Sequence, residues 1–293
     1  MTLSLPHVSA ARVHAELARG EPAFALDHSV ARHVTAAAPW WPSAVQDMHR
    51  HGTRLMAHLA ARGLDQILDL GSGLPAPRGR QVHQIAASVA PGPRATRTVY
   101  VDRDPHAHTA RRIDLVDQLG ATSVLADITD TTALFELSAV QAFDLRRPVA
   151  VLLHDVLPWL SDEEATGLLA ELRHRLPSGS VISVTHLLTA PPPYATTPLV
   201  RAYREAGMRL RPRDLAVISS WSGTWPAYTH GPHTGAGPLP VCALLLRAPG
   251  PGRFTRPAFW SSSRRGTVPG TSAVRRAPRS RFRAEGAIRA GTC

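Results

Sequence analysis

The sequence predicts an α/β protein, a largely parallel sheet with helices on both faces behind an N-terminal helical leader. Three observations carry that prediction. Short apolar runs, at residues 67–70 and 149–153 for example, alternate with longer segments of helical periodicity. Several of these runs end on an acid or a histidine. One of them breaks into Gly71-Ser72-Gly73, the form of a buried strand ending in a tight turn beside a ligand.

The leader, residues 1–63, reads as two or three helices over 8–62. Val8, Ala11, Val13 and Leu17 form a stripe that Gly20-Glu-Pro22 ends. A second helix is expected over 27–37, broken by Pro39-Trp-Trp-Pro42, and a third over 43–62, with Gly63 as its C-terminal cap. Residues 64–248 then form the core domain. Its strands are expected at 67–70, 97–101, 123–126, 149–153 and 181–186, and its helices at 78–89, 105–119 and 161–176. Asp104-Pro105 gives the second of these helices an N-cap followed by a first-turn proline. Ser161-Asp-Glu-Glu164 opens the third with the spacing of a capping box. Beyond 190 the pattern loosens, with Pro191-Pro-Pro193 forbidding regular structure. A helix over 198–207, a strand over 215–219, a loop over 221–240 and a closing strand over 241–246 are expected. Residues 249–293, rich in Pro, Gly, Ser and Arg without periodicity, predict a disordered tail.

Charge and composition narrow the function classes. The formal net charge is +11, but residues 249–293 hold ten arginines against the single acid Glu285, so the body is nearly neutral. Phe254, Phe259, Trp260 and Phe282 are scattered in the tail rather than interleaved as a stacking surface, so nucleic acid is not the expected partner. No apolar run approaches the roughly 18–20 residues of a membrane span, and no membrane partner is expected. With only Cys242 and Cys293 there is no disulfide framework. The first residues lack the pattern of a secretory signal, which points to the cytoplasm.

The candidate site lies at the carboxyl ends of the strands, where parallel sheets bind ligands. Gly71, Ser72 and Gly73 follow the first strand, Asp102 the second, Asp127 the third, His154 and Asp155 the fourth, and His186 ends the fifth. Two cofactors compete for it. A dinucleotide could use Gly71-x-Gly73-x-x-Ala76, but Pro75 and Pro77 interrupt the turn and Asp69 is awkward beside a phosphate. Asp102 also follows Gly73 by 29 residues rather than the ~20 of the dinucleotide pattern. S-adenosylmethionine offers a cationic amino group and sulfonium, a ribose diol and an adenine amine, which Asp69, Asp102 and Asp127 could serve in turn. It is the favoured cofactor.

The stretches Leu68-Asp-Leu-Gly-Ser-Gly-Leu-Pro75, Val82-His-Gln-Ile85, Val99-Tyr-Val-Asp-Arg-Asp-Pro105, Arg147-Pro-Val-Ala-Val-Leu-Leu153 and Thr185-His186 resemble one family. It comprises the S-adenosylmethionine-dependent methyltransferases of unassigned substrate that are abundant in actinobacteria. The resemblance implies a Rossmann-like, seven-stranded class I methyltransferase sheet whose last strand is antiparallel. It also implies that Gly71, Ser72 and Gly73 wrap the methionine end of the cofactor, that Asp102 holds the ribose, and that Asp127 and Ile128 lie beside the adenine. In the leader, Arg12, Phe24, Ala25 and Asp27 match the family pattern, whereas His14, Glu16, Glu21 and Ala23 depart from it.

The expected function is methyl transfer from S-adenosylmethionine to oxygen or nitrogen of a small-molecule acceptor. His154, and after it His186, are the candidate bases, since an imidazole titrates near neutral pH. Asp155 joins the cofactor-binding set. The altered leader motivates a second reading, a cofactor-binding regulator with little turnover, and an NAD-dependent oxidoreductase is the third. No metal is expected: His230 and His233 have no acids or cysteines near them. Trp221, Trp225 and Tyr228 are expected to pack a hairpin loop, and Cys242 to lie in the core.

Overall fold

A computed structural model describes residues 7–19, 24–77, 79–91, 95–191, 193–230, 233–234 and 237–250, with the backbone alone at 230 and beyond up to 238. The described residues all fall in one compact unit. The expected tail disorder, from residue 251 on, lies outside the described residues, as do the side chains of His230 and His233.

The leader comprises α1 (Ala10–Arg19), α2 (Ala25–Ala37) and α3 (Trp41–Ala60). Strand and helix then alternate through β1 (Gln66–Leu70), α4 (Val82–Val89), β2 (Arg97–Asp102), α5 (Pro105–Asp114) and β3 (Ala121–Leu125). Next come α6 (Thr131–Glu136), α7 (Ser138–Gln141), β4 (Ala150–His154), α8 (Asp162–Arg175) and β5 (Val181–Leu187). The remainder is α9 (Thr196–Glu205), α10 (Leu215–Ser220), β6 (Ala227–His230), the two-residue strands β7 (His233–Thr234) and β8 (Gly237–Pro238), and β9 (Val241–Arg247).

Seven strands form one sheet in the order β3-β2-β1-β4-β5-β9-β6. The first five run parallel, and β9 enters antiparallel between β5 and β6 with Thr185 opposite Ala243. This is the seven-stranded sheet that the resemblance implied. Strand order reverses between β1 and β4, which opens a crevice at their carboxyl ends.

Side-chain alternation gives the sheet two apolar faces. Leu68, Leu70, Val99, Val101, Val151, Leu153, Ile182 and Val184 meet α6, α7, α8 and α10 on one side. Ile67, Ala150, Leu152 and Val181 meet Leu55, Met56 and Leu59 of α3 and Ala86 of α4 on the other. A third cluster, with Val13, Val34, Trp41, Met48, Leu199 and Tyr203, joins the leader to α9 and to Leu187 and Val241. The capping residues do what their spacing predicts. Ser161 and Glu164 exchange both bonds of a capping box, and Asp104 accepts from His106 N at 2.8 Å.

Four expectations need correcting. Residues 215–219 form a helix, not a strand: Leu215 and Val217 face solvent and only Ile218 is buried, a helical rather than an alternating pattern. The expected loop 221–240 contains β6, whose pairing with β9 overrides its Gly- and Pro-rich flanks. Within it Trp221 and Trp225 are buried against the α8 face, as a packing role requires. The helix expected over 105–119 ends at Asp114, and the turn that follows carries Asp117 at a left-handed φ of 66°. The helix expected from 78 starts at Val82, beyond Pro75, Pro77 and Gly79.

The leader is tied to α9 by one buried polar bond, from Trp41 Nε1 to Tyr203 Oη at 3.0 Å. Both residues are fully buried. Tyr203→Phe strands the indole N–H and should cost about 1–3 kcal/mol, read as a fall of several degrees in Tm. An unchanged Tm would mean that water or another group replaces the phenol.

Candidate functional site

The strand ends open into a cavity of about 1500 Å³. Asp69, Gly71, Ser72, Gly73, Asp102, Asp127, Ile128, His154 and Asp155 all line it, together with α1 and α3 of the leader. Strand parity explains how they meet. Asp69 shares the α3–α4 face with Ile67, and its register partner Tyr100 places Asp102 on the same side.

The loop after β1 is held from three directions. Gly71 has φ 67° and Gly73 φ 61°, conformations that disfavour a side chain. A Cβ on Gly71 would also come within 2.5 Å of Val156 Cγ2. Gly71 N donates to Val101 O at 2.8 Å, and Gly73 N donates to Asp102 Oδ2 at 2.7 Å. From below, Arg111 of α5 donates to Ser72 O at 3.1 Å and Gly73 O at 2.9 Å. Its guanidinium lies 4.1 Å from the Tyr100 ring centroid and also reaches Gln81 Oε1.

The carboxylates differ in environment. Burial raises the Asp69 carboxyl to a pKa of about 6, with Arg111 pulling it down and Asp102 pushing it up. Burial also raises Asp102, against the backbone N–H groups of Asp104 and Gly73 that stabilise its charge. Asp127 is exposed and accepts from Thr129 N and Oγ1. Those bonds, with Arg103, outweigh its partial burial and hold it below the ordinary carboxylate range. Asp155 takes a left-handed φ of 59°, and its N–H donates to Thr185 Oγ1 at 2.9 Å.

The histidines separate. His154 reaches the cavity, but its Nε2 is bonded to Ser183 Oγ at 2.8 Å and its ring packs over Gly52. Burial, with His51 and His49 adding to it, drives its pKa down to about 3, so the ring stays neutral. His186 is not brought into the cavity. It shares strand parity with Ile182 and Val184, so it points to the opposite face, against Trp221 and Arg213 Nη1 at 3.0 Å. Burial lowers its pKa to about 3 as well. Thr185, one position earlier, faces the cavity instead.

Sequence reasoning missed Arg111, which reads as a solvated helix arginine beside Arg112, and it missed the role of Arg12. Arg12 Nε donates to Asp27 Oδ2 at 2.6 Å and Nη1 to Asp104 Oδ2 at 2.9 Å, with a further bond to His7 O. The leader is thus clamped to the turn whose Asp104 N–H donates to Asp102 at 2.8 Å.

This donor set fits S-adenosylmethionine. Buried carboxylates suit its cationic groups, and both oxygens of Asp155 are buried without a hydrogen-bond partner. No group of three or more metal-ligating side chains exists among the described residues, and no helix there is long and apolar enough to cross a membrane.

The comparisons agree with this chemistry. None of the curated proteins matches the chain. A crystal structure of a candidate methyltransferase from Thermobifida fusca YX superposes with a TM-score of 0.76 at 26% identity, over 83% of this chain and 96% of that one. A DUF574 family protein from Streptomyces avermitilis MA-4680 gives 0.74 at 24% identity, over 83% and 98%, a likeness of fold. The family model of the S-adenosyl methyltransferases matches residues 2–222. That match sets aside the oxidoreductase alternative: the chain belongs to the S-adenosyl methyltransferase family, and S-adenosylmethionine is its methyl donor.

Proposed function

We propose that the protein methylates a small-molecule acceptor in the cytoplasm, with the cofactor lying along the ends of β1, β2 and β3 and the acceptor entering beneath the leader. One observation carries the reading: Asp69, Asp102 and Asp155, all buried, end the adjacent strands β1, β2 and β4 around a single glycine loop. In this reading Gly71, Ser72 and Gly73 take the methionine end. Asp69 and Asp155 face the cationic groups, Asp102 accepts from the ribose hydroxyls, and Asp127 with Ile128 borders the adenine. The cofactor supplies an activated methyl group on a sulfonium. The protein orients the acceptor and excludes water, contributions that can supply much of the rate. His154, neutral and held by Ser183, serves as a hydrogen-bonding wall rather than a base. His186 supports the opposite face. The clamp from Arg12 to Asp104 keeps α1 over the cavity, which favours an acceptor small enough to be enclosed.

Calorimetric titration with S-adenosylhomocysteine tests the cofactor assignment. Binding is expected, and Asp102→Ala should weaken it about 10–100-fold, the range of a lost charge-assisted pair of hydrogen bonds. Absence of heat at about 1 mM ligand would overturn the reading.

Asp69 predicts a pH dependence. Its folded pKa of about 6 stands above the ordinary 3.8, so the folded protein holds an extra proton between those values. Its contribution to stability therefore falls as pH rises through that window, and a cation bound beside the carboxylate offsets the loss. Affinity for S-adenosylhomocysteine should rise from pH 5 toward 6, by up to about tenfold per unit, and level off above. Asp69→Asn should flatten that profile; a profile unaltered by the substitution would assign the titration to another group.

A further inference from the structure

A second titratable pair lies in the cavity wall, where α1 meets the end of β4. His14 of α1 is buried, and its Nδ1 lies 2.5 Å from Asp155 Oδ2, an ion-pair contact that does not form a hydrogen bond. His14 Nε2 and both Asp155 oxygens are buried without a hydrogen-bond partner. Buried polar atoms are normally satisfied, so three orphans at one point mark a place where something else is meant to bond. The ring is fixed edge-on between Trp41 and Trp159, with centroids 5.7 and 5.5 Å away. Asp155 holds an uncommon left-handed backbone anchored by Thr185, the kind of conformation that persists where its surroundings enforce it. The other titratable group at this point, Tyr203, is kept protonated: burial raises its pKa, and its oxygen takes the indole N–H of Trp41. His154 and His186, the histidines at the strand ends, are neutral and already bonded.

We propose that His14, oriented by Asp155, is the proton acceptor for methyl transfer and that the acceptor is a hydroxyl compound, a phenol or an alcohol. This rests on the methyltransferase reading above. A neutral amine attacks with a free lone pair and needs no base beforehand, whereas a hydroxyl is a poor nucleophile until its proton leaves. The acceptor O–H proton passes to His14 Nε2, and an oxygen electron pair forms the bond to the methyl carbon. The carbon–sulfur bond breaks with its pair retained by sulfur, and the imidazolium is stabilised by the neighbouring Asp155 carboxylate. Contacts of this kind are often misaligned in the empty site and tighten once substrate is bound. His14 is the catalytic residue, and Asp155, toward it, a positioning one.

The test uses the full-length protein with S-adenosylhomocysteine bound and two readouts. In nitrogen–proton correlation spectra of histidine-labelled protein, the signal lost in His14→Phe identifies His14. It should show Nδ1 protonated and Nε2 bare, and Asp155→Asn should mix the two tautomers. A protonated Nε2, or a tautomer indifferent to Asp155→Asn, overturns the pair. With labelled S-adenosylmethionine, catechol and 4-nitrophenol are compared with aniline. Transfer to a hydroxyl probe is expected, with kcat about 100-fold or more lower in His14→Phe and His14→Gln at little changed KM. Transfer to aniline alone, or to none of the three, overturns the hydroxyl assignment. A protein that binds no S-adenosylhomocysteine fails the underlying reading instead. Retained S-adenosylhomocysteine binding in the variants separates lost chemistry from lost folding.

Discussion

One buried guanidinium organises the cofactor end of this protein. Arg111 holds the carbonyls of Ser72 and Gly73, lies on the Tyr100 ring, and is the nearest compensating charge for Asp69 and Asp102. Without it two carboxylates would share an apolar strand end with no cation, and an uncompensated buried charge costs several kcal/mol. The glycine loop can therefore keep its left-handed turns because a helix arginine reaches beneath it. Tyr100 is held in turn from His83, whose N–H donates to the phenol oxygen at 3.0 Å, so the support extends into α4.

A second chain of contacts carries the leader. Asp27, Arg12, Asp104, Asp102 and Gly73 are linked in sequence by charge-assisted or backbone hydrogen bonds. Arg12 and Asp27 are among the leader residues that match the family, which is intelligible because the latch needs both charges. His14, one of the leader positions that depart, lines the cavity and takes no part in the latch. The clamp and the chemistry on α1 can thus vary independently.

Much of the sheet was legible in the sequence because buried parallel strands read as short apolar runs, and because acids and glycines mark their ends. Legibility failed where one residue carried two signals. His186 sits at a strand end, which named the correct end of the sheet, but period-two alternation sends its side chain to the other face. Counting parity from Asp69 and His154 would have selected Thr185 instead. Arg111 was invisible because nothing local distinguishes an arginine beneath a loop from one in solvent. Residues 215–219 misled because β-branched residues suggest a strand, while the exposure of Leu215 and Val217 suits one turn of helix resting on Ile218.

The contact between Arg12 and Asp104 spans 92 positions, and that between Trp41 and Tyr203 spans 162. Such distant partners meet only after much loop-closure entropy has been lost. On the ribosome the leader emerges before the sheet yet must wait for nearly the whole domain before it can dock. The cavity is therefore completed late in folding, and a chain caught short of that step has its sheet nucleus but no wall over the cofactor. Until then Val13, Val34 and Trp41 remain uncovered, and this interval, rather than the finished fold, is when the protein is most exposed to aggregation and proteolysis.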